Sequence, residues 1–319
     1  MAHKRRKPAA DFAVYLAVRL VVCAIQALPP ALAFKAAEFL AWAAYRIDKR
    51  HREVAADNLR HAFPELAADP ARTDRLVRAT YRHFLLVVVE MVLAPRKLHV
   101  GSWRKYITMY TGTRMIAPAF SDRPALIVTA HFGNWEMAGR LIGLFGMKSY
   151  AIARVLDNPH LERFLKRFRQ GTGQTVIAKK DDFGRLTEVL RAGGKVATLA
   201  DQDAGPRGVF VDFFGRPAST HKAVALMAVE FDAPLLVIGV PRVAEPMFYA
   251  VVCPDVIDPR EYAGRPDAVR AITQRYTAAL ESMIRRHPEQ YFWLHRRWKH
   301  QPVRRARGVS PGSSDAKAA

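Results

Sequence analysis

Apolar and polar positions along the chain fall into two regimes. From residue 12 to about residue 98 they recur at helical spacing, and from residue 124 onward short apolar runs alternate with amphipathic stretches. The first apolar segment, Phe12 to Leu28 (FAVYLAVRLVVCAIQAL), is interrupted by Arg19 and Gln26, which lie seven apart and so share a helical face. Pro29-Pro30 ends it, and a second apolar stretch, Ala31 to Tyr45, carries Lys35 and Glu38 on one face. The helical pattern continues through DKRHREVAADNLRHAF to Pro64, and Arg72 to Leu93 forms an amphipathic helix with an apolar end, LLVVVEMVL. Glu90 within that end reads as an exposed or Arg-paired side chain.

Beyond residue 120 the period changes. Pro124 to Val128 (PALIV) has the length and composition of a buried strand, and Ser149–Ala153, Thr175–Ala178, Lys195–Ala200, Pro234–Val240 and Phe248–Val252 read as further strands. Helical patterns lie between them at Met137–Phe145, Pro159–Arg169, Asp181–Arg191 and His221–Phe231, and Ala268–Arg286 closes the series. This alternation predicts an α/β fold, a mostly parallel central sheet flanked by helices, behind a helical layer and an N-terminal membrane-associated helix. The expected organisation is a membrane anchor or pair of interfacial helices over residues 1–45, one large domain over 46–305, and a disordered tail over 306–319. Within the domain, 46–120 form the helical layer and 121–305 the α/β core. Ligands in such sheets gather at the carboxyl ends of strands, and His131, Arg154 and Asp201 each follow a predicted strand.

Composition narrows the function classes. The chain has 319 residues and a net charge of +21, so its partners are expected to be anionic: nucleic acid, an acidic membrane surface, a phosphorylated lipid or an acidic carrier protein. Two cysteines, Cys23 and Cys253, make neither a disulfide framework nor a metal spacing. The basic run His3 to Lys7 (HKRRK) ahead of the first apolar segment predicts a cytoplasmic N-terminus if that segment inserts. Its seventeen residues reach roughly 25 Å as a helix, short of a ~30 Å hydrocarbon core, so one marginal span and two interfacial helices both remain open. Near the other end, Tyr291 to Lys299 (YFWLHRRWK) interleaves aromatic and basic residues in a way that suits single-stranded nucleic acid or a membrane interface.

The densest chemistry lies in Thr129 to Arg140, TAHFGNWEMAGR. His131 and Glu136, five residues apart, would sit about 140° apart on one continuous helix and could not cooperate there. If His131 ends the strand and Gly133-Asn134 form the turn, Glu136 in the next helix's first turn can fold back onto the imidazole. A carboxylate holding one ring nitrogen fixes the tautomer and makes the other nitrogen a better base, suited to deprotonating a hydroxyl that attacks an acyl carbonyl. The amides of Gly133 and Asn134 would then face the developing oxyanion. The plainer alternative is a histidine packing at a strand end and a glutamate balancing the helix dipole.

Other candidates are placed by the same strand-end rule. Arg154 precedes a helix start and offers a bidentate donor for a phosphate or acyl carbonyl. Asp201 and Asp203 of the DQD triplet are read as ion-pairing with Arg154 or Arg207 rather than holding a metal, for want of a third ligand. Phe213-Phe214 are core residues or the wall of an acyl tunnel, and Lys222, at a helix start with His221, suits an anionic group.

The hexapeptide HFGNWE, His131 to Glu136, resembles the H-x4-D/E signature of the glycerolipid and lipid A acyltransferase superfamily. DNLRHAFPEL (Asp57–Leu66), ARVLDNP (Ala153–Pro159), ADQDAGPRGVFVDFFGRPAST (Ala200–Thr220) and YFWLHRRWK resemble blocks of its late lipid A branch, the lauroyl and myristoyl transferases, in the same order. The resemblance implies transfer of a fatty acyl chain from an acyl-carrier-protein or coenzyme A thioester to a hydroxyl of a phosphorylated glycolipid, a lipid A precursor first. It implies His131 and Glu136 as catalytic and Arg154, Asp201, Asp203, Gly133, Asn134, Arg207 and Lys222 as substrate-binding, with no cofactor or metal. It further implies a monomer on the cytoplasmic face of an inner membrane, with no nucleic-acid partner and with residues 46–98 as an accessory layer. His221 and Lys222 depart from the small or hydroxyl residues that many relatives carry. The alternatives are another acceptor (a phosphatidylinositol mannoside, an ornithine lipid or a lysophospholipid) and, from a different class, a membrane-tethered nucleic-acid-binding protein.

Overall fold

Four helices lead the chain: α1 (Pro8–Ala27), α2 (Pro30–Ile47), α3 (Lys49–Ala62) and α4 (Pro70–Lys97). The computed structural model describes residues 8–110, 113–153, 155–171, 173–178 and 183–302. Asp48 caps α3 and Asp69 caps α4, each accepting a backbone N–H three residues on, as helix starts with an aspartate at N-cap do. After them come β1 (Ile107–Tyr110), α5 (Ile116–Phe120), β2 (Ala125–Thr129), α6 (Trp135–Leu144), β3 (Ser149–Ala153), α7 (Pro159–Gln170), β4 (Gln174–Ala178), α8 (Phe183–Arg191) and β5 (Lys195–Leu199). The chain closes with β6 (Val209–Phe213), β7 (Arg216–Thr220), α9 (Ala223–Glu230), β8 (Leu235–Gly239), β9 (Tyr249–Ile257) and α10 (Ala268–Arg286).

Among the described residues the main sheet has seven strands in the order β1-β9-β8-β2-β5-β3-β4, parallel throughout except between β8 and β9. Central strand β2 is buried at all five positions, because it is covered on both faces. Leu126 and Val128 pack into the cluster that includes Ile272, Tyr276 and Leu280 of α10, while Ile127 packs with Met137 and Leu141 of α6. The α/β reading of the sequence therefore holds, with strand limits shifted by a residue or so except in β9, which runs on to Ile257 beyond the expected end at Val252. Three strands escaped it. β1 lies in the stretch assigned to the helical layer yet forms an edge of the sheet.

The β6–β7 hairpin also went unread. Its two-residue turn, Phe214-Gly215, has φ of 55° and 75°, the left-handed pair that usually calls for Asn-Gly. Burial of the Phe214 ring against Phe63 and Trp293 offsets a conformation that a bulky residue rarely adopts. Phe213 and Phe214 are thus core residues here.

The N-terminal layer is stitched along α4. Ala33, Ala37 and Ala41 of α2 present a stripe of small side chains to it, and Glu38 pairs with Arg82 while Tyr45 reaches Asp74. Ala37 is fully buried there, so a larger side chain has nowhere to go. Ala37→Leu is expected to lower stability by about 1–3 kcal/mol, the usual effect of overpacking. Thermal unfolding checks it, and an unchanged midpoint would contradict the close approach of the two helices.

Candidate active site

β2 and β5 pair in parallel with Thr129 opposite Leu199, and Ala200 N–H bonds to Thr129 O as the ladder runs past both strand ends. Two residues beyond, the same register sets His131 beside Asp201. Asp201 Oδ2 accepts the His131 backbone N–H at 3.1 Å, and Oδ1 accepts the ring Nδ1–H at 2.9 Å. The proton on Nδ1 leaves Nε2 as the basic nitrogen. Burial disfavours the imidazolium, but the charge and hydrogen bond of Asp201, and then the charge of Glu136, outweigh it, so His131 titrates above the ordinary histidine range. Burial would likewise raise Asp201, yet His131 brings it below the usual carboxylate range through charge, side-chain and backbone bonds. Buried Tyr291 lies behind the pair, its hydroxyl pushed up by burial and by the charge of Asp201.

Aromatic rings wall the imidazole. Trp135 meets it edge-on with centroids 5.3 Å apart, Phe292 lies at 6.0 Å, and Phe84 of α4 contacts both Trp135 and Phe292. The histidine side chain remains 21% exposed.

The loop from His131 to Asn134 is held by a buried network that no local motif announces. Gly133 has φ of 57° and sits so close to Val240 that a Cβ would lie 2.3 Å from its carbonyl oxygen, which requires glycine. His83 of α4 donates its Nε2–H to Gly133 O at 3.0 Å, and its Nδ1 accepts from Arg242 at 3.0 Å. Burial and the neighbouring guanidinium push His83 down to about 3, so it is neutral. Arg242 in turn grips Glu90 with two bonds of 2.6 and 2.7 Å. Glu90 also accepts from Asn134 Nδ2 and Met247 N–H, at 2.9 and 3.0 Å. Asn134 spends its Oδ1 on the cap of α6, on Met137 N–H. The Arg-paired reading of Glu90 is the one the structure bears out, in a fully buried setting.

Several sequence-based placements change. Glu136 does not fold back onto His131: it lies in the first turn of α6, where Arg169 of α7 holds it bidentately at 2.6 and 3.1 Å, and it reaches the imidazole only by charge. The register of β2 against β5, fixed by long-range pairing, supplies the nearer carboxylate. The amides of Gly133 and Asn134 are also taken, by Gln290 O at 3.0 Å and Val240 O at 2.8 Å, so neither is free to meet an oxyanion. Asp201 pairs with a histidine rather than an arginine. Asp203 pairs with His300 Nδ1 at 2.6 Å, not with Arg207, which is exposed. Lys222 is exposed at the start of α9. Arg154 lies outside the described residues. Among the described residues no three His, Cys, Asp or Glu side chains gather as metal ligands.

Other blocks find structural roles. Buried Asn58, in the DNLRHAFPEL stretch, donates to the carbonyls of Trp293 and His295 at 2.7 and 2.8 Å and so braces the YFWLHRRWK segment. Phe292 N–H bonds to His131 O at 2.9 Å, tying that segment to the histidine.

The profile of the bacterial lipid A biosynthesis acyltransferases matches residues 3–300. The chain belongs to that family. It is 27% identical over 263 residues to the lipid A biosynthesis palmitoleoyltransferase of Escherichia coli (strain K12), covering 80% of this chain and 81% of that one. It is 27% identical over 266 residues to the lauroyltransferase of the same organism, covering 81% and 82%. A phosphatidylinositol mannoside acyltransferase of Mycobacterium tuberculosis is 33% identical over 117 residues, 35% of this chain and 37% of that one. As a member of this family the chain is an acyl-transferring enzyme.

In this acyltransferase the helical layer is more than an accessory. His83, Phe84 and Glu90 all come from α4, and with Arg242, Gln290 and Tyr249, whose hydroxyl accepts from Asn134 Nδ2 at 3.2 Å, they surround the site; of these, sequence reading named Glu90 alone, and only as a side chain outside the site. The available signal was the charge of Glu90 inside LLVVVEMVL; its partner is 152 residues away and no spacing points to it. Removing one partner of a buried ion pair leaves the other charge uncompensated, at a cost of about 3–5 kcal/mol. Arg242→Met is therefore expected to destabilise the acyltransferase by that amount in denaturant unfolding, and the Glu90→Leu/Arg242→Met double variant to regain most of it. Equal stabilities for the single and double variants would show that the pair is not coupled.

Proposed function

We propose that this enzyme transfers a fatty acyl chain from an acyl-carrier-protein or coenzyme A thioester to a hydroxyl of a phosphorylated glycolipid, a lipid A precursor, at the cytoplasmic face of an inner membrane. The observation that carries the chemistry is the His131–Asp201 pair, with Nδ1 committed to the carboxylate and Nε2 left as base. In the proposed reaction Nε2 takes the proton of the acceptor hydroxyl as its oxygen attacks the thioester carbonyl. The resulting tetrahedral intermediate collapses with the new C–O bond formed and the C–S bond broken, and the imidazolium returns its proton to the departing thiolate. Asp201 stabilises the transient imidazolium. Glu136, which Arg169 holds in place, adds its charge in favour of the same state.

The cysteines give no reason to add an acyl-enzyme. Cys253 lies half-buried on β9, its thiol pushed up to about 11 by burial and by Asp255, and Cys23 is exposed on α1. For the acyl chain, a cleft of about 930 Å³ opens between α1, α4 and α7, lined by Val22, Ile25, Val88, Met91, Phe164 and Phe168. Val88 is one helical turn from Phe84, which stacks on Trp135 beside the base. The similarity to the two E. coli lipid A enzymes supports the acceptor class, and the high positive charge supports an anionic acceptor and an acidic carrier protein. The partial similarity to a phosphatidylinositol mannoside acyltransferase favours a mannosylated phosphatidylinositol as the second reading.

The test is transfer of labelled acyl chain from acyl carrier protein to a lipid A precursor by membranes containing the enzyme. His131→Ala is expected to lose about 10²–10⁴-fold in rate, the range of a general base. Transfer undiminished in that variant would overturn the mechanism, and transfer only to a phosphatidylinositol mannoside would select the second acceptor.

The pH profile gives a separate check. The rate rises with pH as His131 gives up its proton, and because its pKa is raised, the acidic limb is expected above the ordinary histidine value of about 6.5. Asp201→Asn removes the main influence that raises it, so the surviving activity should show that limb at lower pH. An unmoved limb would separate Asp201 from the titration.

A further inference from the structure

The N-terminal helix is amphipathic in the reverse sense of a soluble protein's helix. The half-covered positions of α1 are Asp11, Tyr15, Val18, Arg19, Val22, Ile25 and Gln26, one stripe that holds its polar residues and faces α4 and α7. Asp11 O accepts from Asn158 Nδ2 at 2.7 Å, the Arg19 guanidinium lies 5.0 Å over the Phe164 ring, and Gln26 donates to Val92 O at 3.3 Å while its own carbonyl accepts from Arg96 at 2.5 Å. Val14, Leu16 and Leu20 point away from the protein, Leu20 being 71% exposed. α2 repeats the arrangement, with alanines against α4 and Leu32, Phe39, Leu40, Trp42 and Ile47 outward. Such continuous apolar faces mark a surface made for another apolar phase.

We propose that α1 and α2 dock side-on onto an anionic bilayer and lie in one leaflet, and that α1 does not cross it. The inference rests on the membrane reading above for its partner and goes beyond it in the mode of attachment. By length and hydropathy alone α1, twenty residues and so about 30 Å, could span. Its contacts forbid it. α7 runs beside α1 from Asp11 to at least Arg19, and α7 is bound into the catalytic body by β3 before it and β4 after it. Carrying α1 along the membrane normal would draw the exposed Arg163, Lys166 and Arg167 of α7 into hydrocarbon, where charged side chains are costly. Lying flat instead sets the apolar faces at acyl-chain depth. Lys35 and Arg46 on α2, Arg96 on α4 and the α7 cations then belong to the headgroup level, where anionic lipid attracts them. The Arg46 guanidinium, 5.7 Å from the Trp42 ring, matches an aromatic–cationic pair at that depth. The cleft between α1, α4 and α7 then has its α1 wall in the leaflet.

The full-length protein is tested in two ways. It should co-sediment with phosphatidylethanolamine–phosphatidylglycerol vesicles more than tenfold better than with phosphatidylcholine vesicles, and Leu20→Glu/Phe39→Glu, both at outward positions, should lose at least tenfold. In sealed membrane vesicles of known orientation, Ala9→Cys at the start of α1, Leu28→Cys at the α1–α2 turn and Gln301→Cys on the catalytic body, each with Cys23 and Cys253 replaced by serine, are reacted with a membrane-impermeant maleimide. All three positions reacting from the same side is the expected result. Reaction of Ala9→Cys and Leu28→Cys from opposite sides would mean that α1 spans and would overturn the proposal while leaving membrane attachment intact. Absence of vesicle binding by the wild type would overturn both.

Discussion

Everything at the site depends on the register of β2 against β5. Parallel strands carry successive side chains to opposite faces, so a slip of one residue would put Leu126 and Val128 where Ile127 belongs and would bring His131 opposite Ala200 or Gln202 instead of Asp201. The register is enforced by the two dissimilar cores on either side, α10 with α9 on one face and α6 with α4 on the other. The chemistry thus borrows its precision from hydrophobic packing. The proposed base and its orienting carboxylate are placed by the buried ends of two central strands.

The second constraint is electrostatic. Glu90 and Arg242 are both almost wholly withdrawn from water, and a buried pair of this kind contributes little net stability against well-packed apolar residues. What it contributes is geometry. Glu90 accepts bonds from Arg242, Asn134 and Met247, and Arg242 fixes the His83 tautomer that meets Gly133 O. One anion and one cation, with a neutral histidine between cation and loop, hold the turn after His131 from a helix that also carries α1 and α2. Were His83 charged, the network would hold two cations to one anion, and burial together with that imbalance keeps the His83 pKa low.

Local pattern made the α/β alternation, the strand-end positions of His131 and Asp201, and the long helices legible, because each is written in residues a few positions apart. What it could not supply was partnership across the chain. The spacing of His131 and Glu136 suggested a pair, and the actual partner stands 70 residues away on a neighbouring strand. The oxyanion role given to the Gly133 and Asn134 amides failed for the same reason: Val240 and Gln290, far along the sequence, claim them. The Phe214-Gly215 turn was hidden because a buried aromatic ring replaced the usual turn residue. In each case a tertiary contact overrode a sound local expectation.

The proposed reaction adds a requirement that the geometry meets. A histidine with a raised pKa activates water as readily as a lipid alcohol, and a thioester held beside water would be hydrolysed. Selectivity then has to come from what can reach Nε2. Phe84, Trp135 and Phe292 exclude bulk water from much of the imidazole, and the two of them that belong to α4 and the Tyr291–Trp293 segment are tied to the same loop by backbone and network bonds. The proposed acceptor, arriving in the bilayer with its acyl chains near the α1 face and its phosphates among the α7 cations, would approach at high effective concentration and in few orientations. Placement relative to the membrane and restricted solvent access act together, and the base itself needs no special reactivity beyond what Asp201 supplies.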